Sequence, residues 1–253
     1  MELMQRQAKE LIALQPDIII TSSSPITGAL LRLTQTIPIV FTNIVDPVGQ
    51  GFVTSLSRPG DNATGLVNLE PSMAGKWIEL LKEVMPRLAR VVIPYNAAST
   101  PYADLYLNYL KSAAPRLGVT VTTASVADLN EFETIASREA REPNTGFVLL
   151  PSAFMSGHAG EIGALMAQHQ LPAVSVTRDF AIKGGLLAYG NDIADNYRRS
   201  AKFIDRILKG EKPGDLPIEF PVKFSLVINL KTAQALGLVV PVHVQQIADE
   251  VIG

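Results

Sequence analysis

Short apolar runs alternate with longer helical segments along most of this chain, and that alternation constrains the fold more than any other feature. Runs with the length and composition of buried strands lie at 17–20, 38–41, 90–95, 119–124, 145–150, 172–176 and 185–190. Between them, 73–85 and 196–209 carry apolar residues at helical spacing, and 99–113 starts with Ser99 or Thr100 as a predicted N-cap. Strands that alternate with helices form parallel sheets with both faces covered, so the sequence predicts an α/β fold.

Two stretches interrupt this pattern and divide the chain. The first is near Gly65–Glu70, and the second is the Pro/Gly-rich segment 210–221. We expect two α/β lobes joined by more than one crossover. A single extended doubly wound sheet is the alternative that the pattern leaves open.

Composition argues against several classes of protein. The chain has 253 residues, no cysteine and a net charge of −2, so we expect no disulfide, no thiolate chemistry and no binding to nucleic acid or to an anionic membrane. No apolar run approaches the roughly 18 residues that a membrane-spanning helix requires. The N-terminal segment is amphipathic and carries internal charges, which is not the pattern of a secretory signal.

The sequence also lacks the common catalytic and cofactor motifs. It has no G-x-G-x-x-G, no Walker loop and no G-x-S-x-G elbow. Its histidines, His158, His169 and His243, do not have a metal-ligand spacing. We therefore expect no catalytic residue, no cofactor and no metal.

Polar and aromatic side chains follow the predicted strands at their carboxyl ends, where open α/β sheets bind ligands. The candidate ligand-binding residues at these ends are Ser22, Ser23, Ser24, Asn43, Asp46, Asn96, Ser152, Phe154, Arg178, Tyr189 and Asp192. Ser22–Ser24 precede Pro25 at a predicted helix start, whose free N–H groups and hydroxyls suit a carboxylate or another anion. Each residue taken alone also fits an ordinary turn or helix cap. Together they suit a small polar or zwitterionic molecule with an apolar part.

Long tracts of the chain resemble a known family. They are "PIVFTNIVDPVGQGFVTSLSRPGDNATGL", "GKWIELLKEVMP", "GGLLAYGNDIADNYRRSAKFIDRILKGEKPGDLPIEFPVKFSLVINLKTAQALGL" and "VHVQQIADEVI". These tracts closely resemble ABC-transporter substrate-binding proteins, the family that includes tryptophan- and tyrosine-type binding proteins. The resemblance extends over essentially the whole chain.

The resemblance implies the type I periplasmic-binding-protein fold, in which two lobes clamp a small, amino-acid-like ligand without catalysis. The implied lobes and hinge crossovers are 1–67 with 192–215 for lobe 1, 68–191 with 216–253 for lobe 2, and 65–70, 190–192 and 210–221 for the crossovers. An ABC permease is the implied protein partner, and the periplasm or the cell exterior is the implied location.

One departure from the family pattern concerns the start of the chain. Such proteins begin with a signal peptide and a strand–helix–strand unit, whereas this chain starts in the following helix, so we expect lobe 1 to be N-terminally truncated. Without a signal peptide, the chain as written is expected in the cytoplasm. The strand 17–20 then becomes an unpaired apolar edge, which suggests a homodimer through this strand.

Two other functions stay open at this point. One is an α/β enzyme, such as a hydrolase or an isomerase, that acts on a small metabolite and uses Asp46, Asp179 or Asp192. The other is a sensor domain, because transcription regulators share the implied fold.

Overall fold

The computed structural model describes residues 2–68, 70–96 and 100–253, and their contacts divide the chain into two compact units. The first unit comprises Met1–Glu70 and Asn191–Lys223, and the second comprises Pro71–Gly190 and Phe224–Gly253. Residues 216–223, expected in lobe 2, thus lie in the first unit, because Leu216 and Ile218 pack into its core. Leu69 of the first expected crossover and the predicted N-cap Ser99 are outside the described residues.

The first unit contains a three-stranded parallel sheet. Its N-terminal elements are α1 (Glu2–Ala13), β1 (Ile19–Thr21), α2 (Ser24–Leu31), β2 (Ile39–Ile44) and β3 (Ala63–Val67). The strand order is β1-β2-β3, with Ile19 opposite Ile39 and Phe41 opposite Gly65. Among the strands that the structure describes, β1 therefore has a neighbour on one side only, as the sequence predicts for this segment.

Alternating residues of β2 divide the core of this unit between the two faces of the sheet. Phe41 packs with Ala8 of α1 and Leu30 of α2 on one face. On the other face, Val40 packs with Phe203 of the helix Ile193–Leu208, which forms after the chain returns from the second unit. Both faces of the sheet are thus covered, which is the arrangement that the apolar strand at 38–41 predicts.

The sequence does not predict β3, because its residues lie in a Gly- and Asn-containing stretch that is typical of turns. Gly65 has a φ of +149°, and a Cβ atom at this position would lie 1.9 Å from the carbonyl oxygen of Phe41. Only glycine fits where the two strands approach each other this closely. The buried hydroxyl of Thr64 donates to the carbonyl oxygen of Leu216 at 2.7 Å and so ties β3 to the returning segment.

The second unit contains a seven-stranded sheet with helices between the strands. Its elements and the returning helix are α3 (Ala74–Val84), β4 (Arg90–Tyr95), α4 (Ala103–Ala113), β5 (Thr120–Ser125), α5 (Leu129–Glu139), β6 (Thr145–Leu149), α6 (Ala153–Gly157), α7 (Ala159–Gln168), β7 (Ala173–Ser175), α8 (Arg178–Ile182), β8 (Leu187–Asn191), α9 (Ile193–Leu208), β9 (Phe224–Asn229), α10 (Leu230–Ala235), α11 (Val242–Gln246) and β10 (Glu250–Ile252). The strand order is β10-β9-β8-β7-β6-β4-β5.

The pairs β4–β5, β4–β6, β6–β7, β7–β8 and β9–β10 are parallel, so the α/β fold with parallel sheets is confirmed. Because each unit has its own sheet, the alternative of one extended sheet is wrong. All residues of β6 are buried, and Phe147 packs with Phe132 and Phe180 in the core of this unit. No helix among the described residues is long and apolar enough to cross a membrane.

Candidate functional site

Ser22–Ser24 lie at the carboxyl end of β1, where α2 begins. Ser23 is the N-cap residue of α2, but its side chain makes no capping hydrogen bond. Its carbonyl oxygen accepts hydrogen bonds from the backbone N–H and the hydroxyl of Thr27, both at 2.9 Å. Ser22 is exposed and Ser24 is buried. The hydroxyl of Ser23 is therefore not used to cap its own helix, and the anion site at this helix start stays a prediction.

The loop after β2 folds back onto this helix start. Asp46 has a φ of +46°, and its Oδ1 accepts a hydrogen bond from the N–H of Gly49 at 2.9 Å, so the side chain closes its own turn. Gln50 donates through Nε2 to the hydroxyl of Ser24 at 3.1 Å and to the carbonyl oxygen of Val45. The backbone N–H of Gln50 also donates to the carbonyl oxygen of Asp46 at 3.1 Å. Gln50, which we did not select from the sequence, thus ties the loop that contains Asp46 to the start of α2.

Asn43, at the carboxyl end of β2, is the centre of a network of side-chain amides. It has a left-handed φ of +56°, which asparagine tolerates better than most residues. Its Oδ1 accepts hydrogen bonds from Nδ2 of Asn191 at 2.9 Å and from Nδ2 of Asn196 at 3.0 Å. The Nδ2 group of Asn196 also donates to the carbonyl oxygen of Val67 at 3.2 Å. The network links the ends of β2, β3 and β8 to α9, which gives Asn43 a structural role that the sequence does not predict.

Asp192 is the N-cap residue of α9, and both of its carboxylate oxygens have partners. Oδ1 accepts a hydrogen bond from the N–H of Asp195 at 3.0 Å, and Oδ2 lies 2.8 Å from Nζ of Lys223. The hydrogen bond from Lys223, followed by the one from the Asp195 N–H, holds the pKa of Asp192 below its ordinary value. The interpretation of Asp192 as a cap is confirmed, while its contact with a ligand stays a prediction.

Asn96 and Ser152 follow β4 and β6 in the second unit. Nδ2 of Asn96 donates to the carbonyl oxygen of Ala127 at 3.1 Å. Ser152 is the buried N-cap residue of α6, and its hydroxyl accepts a hydrogen bond from the N–H of Met155 at 3.1 Å. Both side chains fix loops at the carboxyl end of the sheet.

Arg178 begins α8 and forms a bidentate ion pair with Glu250 of β10. Its Nε lies 2.7 Å from Oε2 of Glu250, and its Nη2 lies 3.0 Å from Oε1. This partner is 72 residues away in the chain, so no local pattern could predict the pair. Because its charge is matched within the unit, Arg178 is a weaker candidate for an anionic ligand than the sequence suggests.

Tyr189 and Phe154 lie beside other aromatic rings of the second unit. Tyr189 is half-buried and stacks on Phe224, with 6.3 Å between the ring centroids, and desolvation raises its pKa. Phe154 lies against the ring of His158 at 5.1 Å. Trp77 of α3 donates from Nε1 to the carbonyl oxygen of Tyr189 at 2.9 Å and so fixes the end of β8.

A further tyrosine that we did not select from the sequence, Tyr102, directly precedes α4, and its hydroxyl reaches the segment that follows β6. The hydroxyl of Tyr102 donates to the carbonyl oxygen of Pro151 at 2.8 Å, and burial raises its pKa to about 12. Its ring lies 6.2 Å from that of Tyr106, one helical turn along α4. The i, i+4 spacing of two tyrosines just after a strand is the sequence signal that would have found this residue.

The candidate residues fall into two sets, one in each unit. Ser22, Ser23, Ser24, Asn43, Asp46 and Asp192 belong to the first unit, and Asn96, Ser152, Phe154, Arg178 and Tyr189 belong to the second. Nearly all of them lie at or just after the carboxyl end of a strand, as predicted. Among the described residues, no cluster of three or more acidic or histidine side chains is arranged to hold a metal ion.

Comparison with known proteins identifies the family. The sequence profile of the family described as "ABC transporter substrate binding protein" matches residues 2–252. The chain belongs to this family. A tyrosine-binding protein of Clostridioides difficile (strain R20291) is 22% identical over 234 residues, which are 92% of this chain and 67% of that protein.

Two solved structures have the same fold as this binding protein. A conserved domain protein from Vibrio cholerae O1 biovar El Tor is 26% identical with a TM-score of 0.90, and the match covers 99% of this chain and 83% of that one. An ABC domain in complex with L-Trp from Streptococcus pneumoniae is 25% identical with a TM-score of 0.90, covering 98% and 83%. The type I periplasmic-binding-protein fold expected from the sequence is confirmed.

Membership of the family decides between the functions that the sequence left open. The chain is a solute-binding component of an ABC transport system, which is not catalytic, so the enzyme hypothesis is wrong. The carboxylates on which that hypothesis depended all have partners: Asp46 closes its turn, Asp179 lies 3.4 Å from Nζ of Lys183, and Asp192 caps α9.

Proposed function

We propose that this binding protein takes up a small zwitterionic ligand, an amino acid with an apolar side chain, clamps it between its two lobes and delivers it to an ABC permease. The family match over residues 2–252 carries the proposal. Two relatives support the ligand class, since one is named as a tyrosine-binding protein and the other was solved with L-Trp. The crossings between the units would then act as the hinge.

The first unit offers the groups that a zwitterion needs. The hydroxyls of Ser22 and Ser23 and the start of α2 suit the carboxylate, because the Ser23 side chain does not cap that helix. Asp46 suits the ammonium group better than Asp192 does, because Asp192 is already paired with Lys223. In the second unit, the rings of Tyr189 and Phe154 suit the apolar part of the ligand.

Four candidates are supported less strongly as ligand contacts. Asn43, Asn96, Ser152 and Arg178 each make a side-chain hydrogen bond or ion pair within their own unit. We propose that they hold the surrounding loops in the shape that the ligand requires.

Native mass spectrometry of the purified protein, followed by calorimetry with the common amino acids, tests the function directly. We expect a stoichiometric complex with at least one amino acid and no turnover. Absence of binding to every amino acid would contradict the ligand class, and chemical conversion of the ligand would contradict the function.

The carboxylate site is tested by the double substitution Ser22→Ala with Ser23→Ala. The substitution leaves the backbone of the helix start in place and removes the hydroxyl donors. A hydrogen bond to a charged group contributes about 1.5–3 kcal/mol, which corresponds to roughly a tenfold to hundredfold change in affinity. We expect a loss of roughly this size for the amino acid and almost none for its amide analogue. The exposed Ser57→Ala is the matched control. Equal losses for the acid and the amide would contradict an anion site at this helix start.

We also propose that the protein works in the periplasm or at the cell exterior, where ABC import systems collect their solutes. The family match supports this location. Fractionation of the native cells, with detection by an antibody, tests it, and recovery in the cytoplasmic fraction alone would contradict it.

A further inference from the structure

The side chain of Gln50 is held at the start of α2 by both hydrogens of its amide nitrogen. Nε2 donates to the hydroxyl oxygen of Ser24, the first residue of α2, at 3.1 Å and also to the carbonyl oxygen of Val45. A carbonyl oxygen accepts hydrogen bonds and never donates them, so the amide nitrogen must face Val45. The orientation of the Gln50 amide is therefore fixed, with Oε1 turned away from Val45.

Oε1 of Gln50 is an acceptor that the first unit itself does not use. No donor reaches it from the described residues, 2–68, 70–96 and 100–253. Gln50 is half-buried and its Oε1 is not sealed from the surface, so a bound molecule can reach this oxygen. An amide that is fixed through its nitrogen and open at its oxygen is suited to accept a hydrogen bond from a ligand.

The backbone on both sides of Gln50 is also fixed. Its N–H donates to the carbonyl oxygen of Asp46 at 3.1 Å, and the N–H of Phe52 donates to the carbonyl oxygen of Pro47 at 2.8 Å. The ring of Phe52 lies so close to α2 that a Cβ atom on Gly28 would be 3.1 Å from it. The loop thus presents Oε1 in one position before any ligand arrives, which lowers the entropic cost of binding.

The position of Oε1 matches the dimensions of an α-amino acid whose carboxylate lies at the start of α2. The oxygen and nitrogen atoms of a carboxamide are about 2.2 Å apart, so Oε1 lies within roughly 5 Å of the Ser24 hydroxyl oxygen. In an α-amino acid, the ammonium nitrogen and the carboxylate carbon are only about 2.5 Å apart. A ligand whose carboxylate is bound by Ser22 and Ser23 therefore brings its ammonium group into the neighbourhood of Gln50.

We propose that Gln50 is a specificity-determining residue, whose Oε1 accepts a hydrogen bond from the ammonium group of the ligand and so selects amino acids over carboxylic acids that lack this group. An ammonium group has three N–H donors, so it needs an acceptor beyond Asp46 in the same loop. The inference rests on the proposed function, because it requires a ligand carboxylate at the start of α2.

Calorimetry with two matched probes, L-tryptophan and indolepropionic acid, tests this role. The second probe has the same ring and carboxylate but no ammonium group. We expect Gln50→Met, which keeps the length of the side chain without an amide, to bind L-tryptophan roughly tenfold to hundredfold more weakly, because it loses a hydrogen bond to a charged group. Its affinity for indolepropionic acid should change far less. Gln35→Met, at an exposed position of the first unit, is the matched control and should leave both affinities unchanged.

A loss that is equal for the two probes would overturn the proposal, since Gln50 would then only shape its loop. Because both probes are compared on one variant, a partly unfolded Gln50→Met cannot imitate the expected result. Gln50→Glu keeps an oxygen acceptor and adds a charge that attracts the ammonium group, so it should retain the preference for L-tryptophan, and loss of that preference would also contradict the role. If the wild type does not bind L-tryptophan, the same comparison uses the common amino acid that it binds most tightly. A wild type that binds no amino acid would refute the proposed function together with this inference, whereas equal binding of an amino acid by the wild type and Gln50→Met would overturn the role of Gln50 alone.

Discussion

Replacement of Asn43 should destabilise the first unit far more than its exposure suggests, because two amide groups depend on its Oδ1. In Asn43→Ala, Nδ2 of Asn191 loses the hydrogen bond that it donates at 2.9 Å. Asn191 is 8% exposed, and a buried donor left without a partner costs about 1–3 kcal/mol. Asn196 loses one of its two acceptors and keeps Val67, so its loss is the smaller one, about 0.5–1.5 kcal/mol.

The backbone of Asn43 contributes a second term. Its φ of +56° is left-handed, and alanine in this conformation costs roughly 1–2 kcal/mol. We therefore expect Asn43→Ala to lower the free energy of unfolding by about 3–6 kcal/mol. Asn43→Gly removes the same acceptor without the backbone cost, so its loss should be about 2–4 kcal/mol. Asn43→Asp keeps an acceptor oxygen and the tolerance for this conformation, and it should stay within about 1 kcal/mol of the wild type.

Urea unfolding followed by far-UV circular dichroism measures this series, and hydrogen exchange of the β2 and β3 peptides shows whether the loss lies in the first unit. The order of stability should be asparagine and aspartate first, glycine next and alanine last. If Asn43→Ala were as stable as Asn43→Asp, the amide network would contribute nothing and the reasoning would be refuted. If alanine and glycine were equal, only the backbone term would be wrong.

Two further predictions concern the ends of β8 and α9. The pKa of Asp192 is lowered in the folded protein, chiefly by Lys223, so its stabilising effect is present above the unfolded pKa of about 4 and is lost as the pH falls through the folded value. The wild type should thus lose stability on acidification below about pH 4 more steeply than Asp192→Asn, as measured by melting temperature against pH, and identical slopes would argue against the pair. A Cβ atom on Gly190 would lie 2.1 Å from the carbonyl oxygen of Val176, so Gly190→Ala should cost about 3 kcal/mol or more in urea unfolding. Gly157→Ala, where a Cβ atom meets nothing within 4 Å, is the matched control and should cost nothing.

Much of the fold could be predicted because periodicity is a local property of the chain. The strands β4 to β8 are short, apolar and separated by helical patterns, and all of them lie close to the predicted positions. β3 could not be predicted in the same way, since the close approach of Gly65 to Phe41 depends on a partner strand. The three-residue β10 likewise owes its existence to pairing with β9 rather than to its own sequence.

The positions of the candidate site residues were easier to predict than their partners. The sequence itself shows that polar residues follow the predicted strands. Asp192 and Ser152 cap helices, as is typical of aspartate and serine. The pair of Arg178 with Glu250 and the amides gathered around Asn43 join segments that are distant in sequence. Such contacts are products of topology, so a single sequence contains no local signal for them.

The indole of Trp77 gives this protein an optical probe of its own. Trp77 is the only tryptophan in the chain, and it is 1% exposed. Its Nε1 donates a hydrogen bond to the carbonyl oxygen of Tyr189. Indole fluorescence depends on the polarity around the ring and on the hydrogen bond of its nitrogen. A ligand that displaces the end of β8 therefore alters the emission spectrum of a single, known chromophore, and solute capture can be followed in real time without any label.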